Sequence, residues 1–163
     1  MNELFAPPGS DWQAVSPALA RLRRTVLLAC AAVALGAVGA TSLLLSLPGW
    51  VWPSVLVLVV ALVAVGWVLI GRNAGWWGYA ERDEELFVKH GALFRTLAVV
   101  PYGRMQYVDV QAGPLEQAFK IASVHLHTAS PGTSARIPGL PAAEAARLRD
   151  RLTSLGESQA AGL

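Results

Sequence analysis

Charge is what this sequence has least of. Asp, Glu, Lys and Arg make up only 15% of its 163 residues, against about 25% in an ordinary soluble domain. A net charge of +2 is too small for nucleic-acid binding, which rests on many phosphate contacts. Cysteine is nearly missing too: Cys30 stands alone, which excludes a disulfide scaffold. There is no Gly-rich phosphate loop ending in Lys-Ser or Lys-Thr, no G-x-S-x-G elbow and no H-E-x-x-H pair, so the familiar catalytic signatures are lacking. Disorder is excluded from the other side. Hydrophobic residues reach 54%, and disorder needs low hydrophobicity with high charge.

That hydrophobicity is concentrated. No charged residue occurs between Thr25 and Gly71. The run divides at Pro48-Gly49-Trp50, where proline cannot continue a helix and glycine accepts unusual backbone angles. The two halves, 25–47 and 51–71, would be helices of about 35 and 32 Å, and a bilayer core is about 30 Å thick. So short a connection predicts a membrane hairpin. An export signal is the rival reading, but its apolar stretch would be shorter and would not be followed by a second span.

Arg21, Arg23 and Arg24 precede the first span and Arg72 follows the second, while the tip is uncharged. Positive flanks stay in the cytoplasm, so both termini are expected inside. Trp50 and Trp52 at one boundary and Trp76 and Trp77 at the other fit aromatic belts. Ser16-Pro17 reads as a helix start. Ala32, Gly36 and Ala40 form a small-residue stripe expected to pack against the second helix, with dimerisation as the alternative. Neither span carries an ionisable group other than Cys30, which leaves a proton relay without residues.

After Gly71 the texture changes to strands. Apolar and polar residues alternate at 76–82, 86–89, 95–100, 106–112 and 123–129, with a short strand near Arg136-Ile137, and turn residues separate them. Only the end has helical period: Ala145, Leu148, Leu152 and Leu155 follow Pro141 as one stripe. A small β-barrel or sandwich capped by that helix is the expected fold. The organisation read from the sequence is a mobile segment at 1–16, a hairpin at 17–71, a mainly-β domain at 72–155 and a flexible tail at 156–163. Gly71, Asn73 and Gly75 suit a hinge between hairpin and domain.

The block Val100-Pro101-Tyr102-Gly103-Arg104-Met105-Gln106, Val108-Asp109-Val110, Gly113-Pro114-Leu115-Glu116, Phe119, Ala122-Ser123-Val124 and Ile137-Pro138-Gly139-Leu140 before a helix resembles the bacterial pleckstrin-homology-like (PH-like) family. It is most similar to the membrane-flanked type, in which two transmembrane helices precede one such domain. The resemblance covers roughly residues 12–155. It implies a seven-stranded, strongly bent antiparallel sheet capped by a C-terminal helix, in a bacterial plasma-membrane protein. Lys120 departs from it, standing where the family often has glycine.

Candidate sites follow. His125 and His127 project from one face of a strand, but no second ligand pair lies at zinc spacing, so no metal or other cofactor is expected. Glu81, Asp83, Glu84 and Glu85 cluster at a predicted turn, where carboxylates are usually solvated and not catalytic. Arg72, Arg82, Lys89, Arg95, Arg104 and Lys120 would lie beneath an anionic leaflet, each worth about 1 kcal/mol of attraction. Arg21, Arg23, Arg24, Arg72 and Arg95 are the lipid-facing set. The first hairpin is acidic, which argues against inositide-type binding. Tyr102, Arg104 and Tyr107 form the expected protein-contact patch, because Tyr and Arg are enriched at hot spots. Met105 and Phe119 share that region, and about half of these large side chains are expected in the core. The function expected is a non-enzymatic interaction or assembly module. Its partners would be the bilayer, another membrane protein or further copies of itself, with anionic-lipid recognition as the alternative.

Overall fold

A computed structural model of the chain describes residues 11–46, 48–91, 94–129 and 134–161. Helices α1 (Ala18–Leu45) and α2 (Val51–Trp76) form the hairpin. The Ser16 hydroxyl accepts the Ala18 N–H at 3.2 Å, serving one of the free donors at the start of α1. The most apolar windows of the two helices have mean hydropathies of 2.2 and 2.8 and are 0% buried within the molecule. Surface of that kind needs lipid to cover it.

The helices meet where side chains are missing. A Cβ on Gly39 would lie 2.9 Å from the Trp52 ring, and one on Gly66 would lie 3.0 Å from Leu27. The stripe of Ala32, Gly36 and Ala40 does not make this seam. All three are exposed, and Gly36 has no neighbour within 4 Å. The contact is turned toward Ala31, Leu35 and Gly39, because crossing helices present one face and Gly39 lies on it.

Among the described residues seven strands form two antiparallel sheets. One has the order β1-β2-β3-β4 (Gln13–Ala14, Gly78–Glu81, Glu85–His90, Thr96–Pro101), the other β5-β6-β7 (Met105–Gln111, Ile121–Thr128, Ala135–Pro141). A short helix, α3 (Pro114–Ala118), links β5 to β6, and α4 (Ala142–Ala161) closes the domain. Two antiparallel sheets with a C-terminal helix, following two long apolar helices, agree with the PH-like architecture. Val124, Leu126, Ile137 and Leu140 from the second sheet and Leu86, Val88 and Val100 from the first meet Ala145, Leu148 and Leu152 of α4 in one core.

Several expectations are corrected. Residues 13–15 lie against the domain: Gln13 and Ala14 pair with Tyr79 and Gly78, and Val15 is buried. The first strand of the domain therefore precedes the hairpin, and the domain is not confined to 72–155. Residues 1–10 lie outside the described residues. The expected hinge at Gly71–Gly75 is helical and belongs to α2. Asn73 holds it, accepting 3.2 Å and 2.8 Å bonds from Arg23 Nη1 and Trp77 Nε1. The tail at 156–163 is helical as far as Ala161. Lys120 has φ +56°, the left-handed conformation in which glycine alone avoids a steric penalty.

Domain and hairpin are joined at β7. The Ser16 N–H donates to the Gly139 carbonyl at 2.9 Å. Gly139 itself has φ +73°, and a Cβ there would lie 2.7 Å from Leu19 Cβ. The start of α1 is thus part of the domain core.

Candidate functional site

Helix α4 is fixed by a polar cluster at its first turns. Arg147 Nη2 lies 2.6 Å from Glu81 and 2.6 Å from Glu144, and Arg151 Nε lies 2.9 Å from Glu81. The Tyr79 hydroxyl donates to Glu144 at 2.7 Å and sits 2.5 Å from the Gln13 amide oxygen. Glu81 is drawn out of the sequence's acidic cluster into this pairing, while Asp83 and Glu84 stay exposed at the turn. The hydrogen bonds from Arg147 hold the Glu144 carboxyl below its ordinary range. A carboxyl depressed by folding stabilises above its unfolded pKa, and that contribution is lost as pH falls through the folded one. The domain should therefore keep this fastening above about pH 4.3 and lose it on further acidification. Glu144→Gln should flatten the acid limb of a thermal-unfolding profile.

The far end of α4 leaves a cleft. Among the described residues β5 pairs on one side only, with β6, so its other backbone edge is unpaired. Met105, Gln106 and Tyr107 on this edge, with Leu152, Thr153 and Gly156 of α4, line a cleft of about 280 Å³. The register of β5 shifts between Met105 and Tyr107, a bulge of the kind that bends an edge strand and re-aims its side chains.

The expected contact patch is only partly here. Tyr102 is 0% exposed, and its hydroxyl donates to the Arg82 carbonyl at 2.9 Å. It is a core residue. The short 3₁₀ turn at Tyr102–Arg104 swings that ring inward and leaves Arg104 exposed. Tyr107 is 56% exposed. Met105 and Phe119 pack at the margin of the core.

On the outer face of the second sheet Tyr107 stacks on His127, with ring centroids 4.2 Å apart. Asp109 faces His125 in the β5–β6 register, and its Oδ1 lies 3.3 Å from His127 Nε2. A hydrogen bond from Gln111 depresses the Asp109 pKa. Burial, followed by the charge of Arg136, lowers that of His125.

The end of the hairpin next to the domain carries the basic and aromatic residues. Arg24 lies 4.4 Å over Trp67 and Arg95 lies 3.7 Å over Trp76, distances at which the ring quadrupole attracts a cation. Trp77 stacks on His90 at 4.8 Å. Arg21 and Arg72 are exposed, and Arg23 is held by Asn73. At the other end Trp50 is 69% and Trp52 41% exposed.

Comparison with known proteins settles the family. The model of the bacterial PH domain matches residues 25–155. The chain belongs to that family. The chain is also similar to the UPF0699 transmembrane protein YdbS of Bacillus subtilis (strain 168), 37% identical over 79 residues, or 48% of each chain. The chain thus aligns with about half the length of that relative. No solved structure matches it. The bacterial PH domain is carried by a membrane protein with two candidate spans, and the architecture agrees with the resemblance read from residues 100–140.

Proposed function

We propose that this bacterial PH domain is a non-enzymatic docking module held at the cytoplasmic face of the bacterial plasma membrane, with both termini inside. The unpaired β5 edge beside the α4 cleft carries the reading. An extended segment of another membrane protein can add main-chain hydrogen bonds to such an edge while one of its apolar side chains enters the cleft. Tyr107 and Arg104 flank the edge as exposed side chains of the types enriched at hot spots. Arg21, Arg23 and Arg24 in the first turns of α1 and Arg72 near the end of α2, beside the uncharged spans, support the orientation.

Gly156 gives a clean test, because a Cβ there meets Met105 Cε at 3.7 Å and the Tyr102 carbonyl at 3.8 Å, ordinary contact distances. Gly156→Ala should fold at least as stably, gaining up to about 1 kcal/mol of helix propensity. Gly156→Phe should fill the cleft and weaken co-purification of a stoichiometric membrane partner at least tenfold, with Gly156→Ala leaving it intact. Equal recovery with both variants would refute docking at this cleft.

A second reading, recognition of anionic headgroups, is favoured by Arg24, Arg72 and Arg95 at the inner end of the hairpin. It calls for anionic lipid retained by the full-length protein in nanodiscs, released by salt and reduced by Arg72→Gln/Arg95→Gln. The full chain is required, since a fragment beginning after the hairpin would lack Val15, Ala18 and Leu19 of the core.

A further inference from the structure

The outer face of the β5–β6 ribbon brings together three side chains that nothing above employs. His125 and His127 stand two residues apart on β6 and so share a face. The register sets Asp109 directly opposite His125 and Tyr107 directly opposite His127. Directly paired Cβ atoms are about 5 Å apart, and diagonal neighbours remain within reach of long side chains. One ligand atom from each of Asp109, His125 and His127 lies within 4.8 Å of the other two. The 3.3 Å between His127 Nε2 and Asp109 Oδ1 is already an edge of a tetrahedron whose bonds are about 2.0–2.1 Å long.

Two further features belong to a ligand set more than to a chance surface cluster. His125 Nε2 is shielded from solvent and has no hydrogen-bond partner among the described residues, while the equally shielded Asp109 Oδ1 has His127 Nε2 as its neighbour. An atom placed like His125 Nε2 is rare, because leaving a buried polar atom unpaired costs free energy. The supporting contacts are also in place. Gln111 Nε2 donates to the other Asp109 oxygen at 2.8 Å, which leaves Oδ1 facing the histidines, and Tyr107 stacks on the His127 ring at an interplanar angle of 10°. Contacts of this kind fix ligand orientation in metal sites. Arg136, opposite His125 on β7, is bonded to Ser123 Oγ at 3.1 Å and pairs with Glu116 at 4.0 Å.

We propose that Asp109, His125 and His127 bind one divalent transition-metal ion of the zinc class, leaving a fourth coordination position open to solvent. Two imidazoles and a carboxylate match the borderline-soft preference of zinc. Three protein ligands are the complement of an open site, since closed structural sites use four. The His127 and Asp109 side chains are 38% and 34% exposed, so an ion can enter and the open position can take water or a donor atom from outside the chain. The site does not depend on the docking reading, because it lies on the sheet face and not in the α4 cleft.

The test uses full-length, tag-free protein in detergent micelles, titrated with Co²⁺ as a spectroscopic probe and then with Zn²⁺. One Co²⁺ per chain should bind with the visible absorption of low-coordinate cobalt, and Zn²⁺ should displace it. His125→Ala/His127→Ala should abolish the band and Asp109→Asn should weaken binding at least tenfold. Gln111→Ala should weaken it by about tenfold. His90→Ala, which alters a histidine stacked on Trp77 and outside the cluster, should change nothing. Should the double variant fail to fold, Asp109→Asn and Gln111→Ala still decide the matter through the same titration. No stoichiometric binding by the wild type, or binding that Asp109→Asn leaves intact, would overturn the proposal.

Discussion

Gly139→Ala should cost about 2–5 kcal/mol, far more than a methyl group ordinarily does. Two penalties add. At φ +73° an L side chain meets the following carbonyl, worth roughly 1–2 kcal/mol. The new Cβ would also lie 2.7 Å from Leu19 Cβ and 3.0 Å from Leu19 Cδ2, and overpacking of this sort costs about 1–3 kcal/mol. Neither side can yield easily. Leu19 is fixed by the first turn of α1, and Gly139 by the bond its carbonyl accepts from Ser16. Thermal unfolding in micelles, followed by near-UV circular dichroism, would show the loss. A variant as stable as the wild type would mean that β7 does not rest on α1, and hairpin and domain would then be separate bodies.

Tyr102→Ala should be the second large effect, about 3–5 kcal/mol, the usual cost of truncating a fully buried aromatic. Tyr107→Ala, at an exposed position, should change stability by less than about 1 kcal/mol. The contrast matters because the two tyrosines look alike in the sequence, each within one block of mixed polarity. Tyr102→Phe isolates the hydroxyl bond to Arg82 and should cost about 1 kcal/mol. Comparable losses for Tyr102→Ala and Tyr107→Ala would contradict the burial of Tyr102.

The different fate of these two residues shows what the sequence made legible. An uncharged run and its arginine flanks depend on local composition alone, so the hairpin could be read directly. Alternation likewise placed Val124 and Leu126 on the inner face and His125 and His127 on the outer one. What could not be read depends on distant partners. Strand β1 has two residues, too few for any period, and exists because Tyr79 and Gly78 lie ready to pair with it. Gly71-Arg72-Asn73-Ala74-Gly75 contains helix breakers, yet α2 continues because Asn73 ties Arg23 to Trp77. Helix α4 outruns its apolar stripe, which ends at Leu155, so nothing in the pattern marks its last turn. The histidine pair was visible as an i, i+2 spacing, whereas Asp109 joins it only through the β5–β6 register. The β5 edge is likewise a property of the sheet: no residue type announces that a strand lacks a neighbour.

The central claim, docking at the β5 edge, is tested most directly by a photoreactive residue at Gln106 in native membranes. A second probe at Lys120, on the β6 side of the domain, serves as the control. The account predicts a discrete adduct with another membrane protein from Gln106, none from Lys120, and loss of the Gln106 adduct when Gly156→Phe fills the cleft. No adduct from Gln106, or one that persists unchanged in Gly156→Phe, would contradict it.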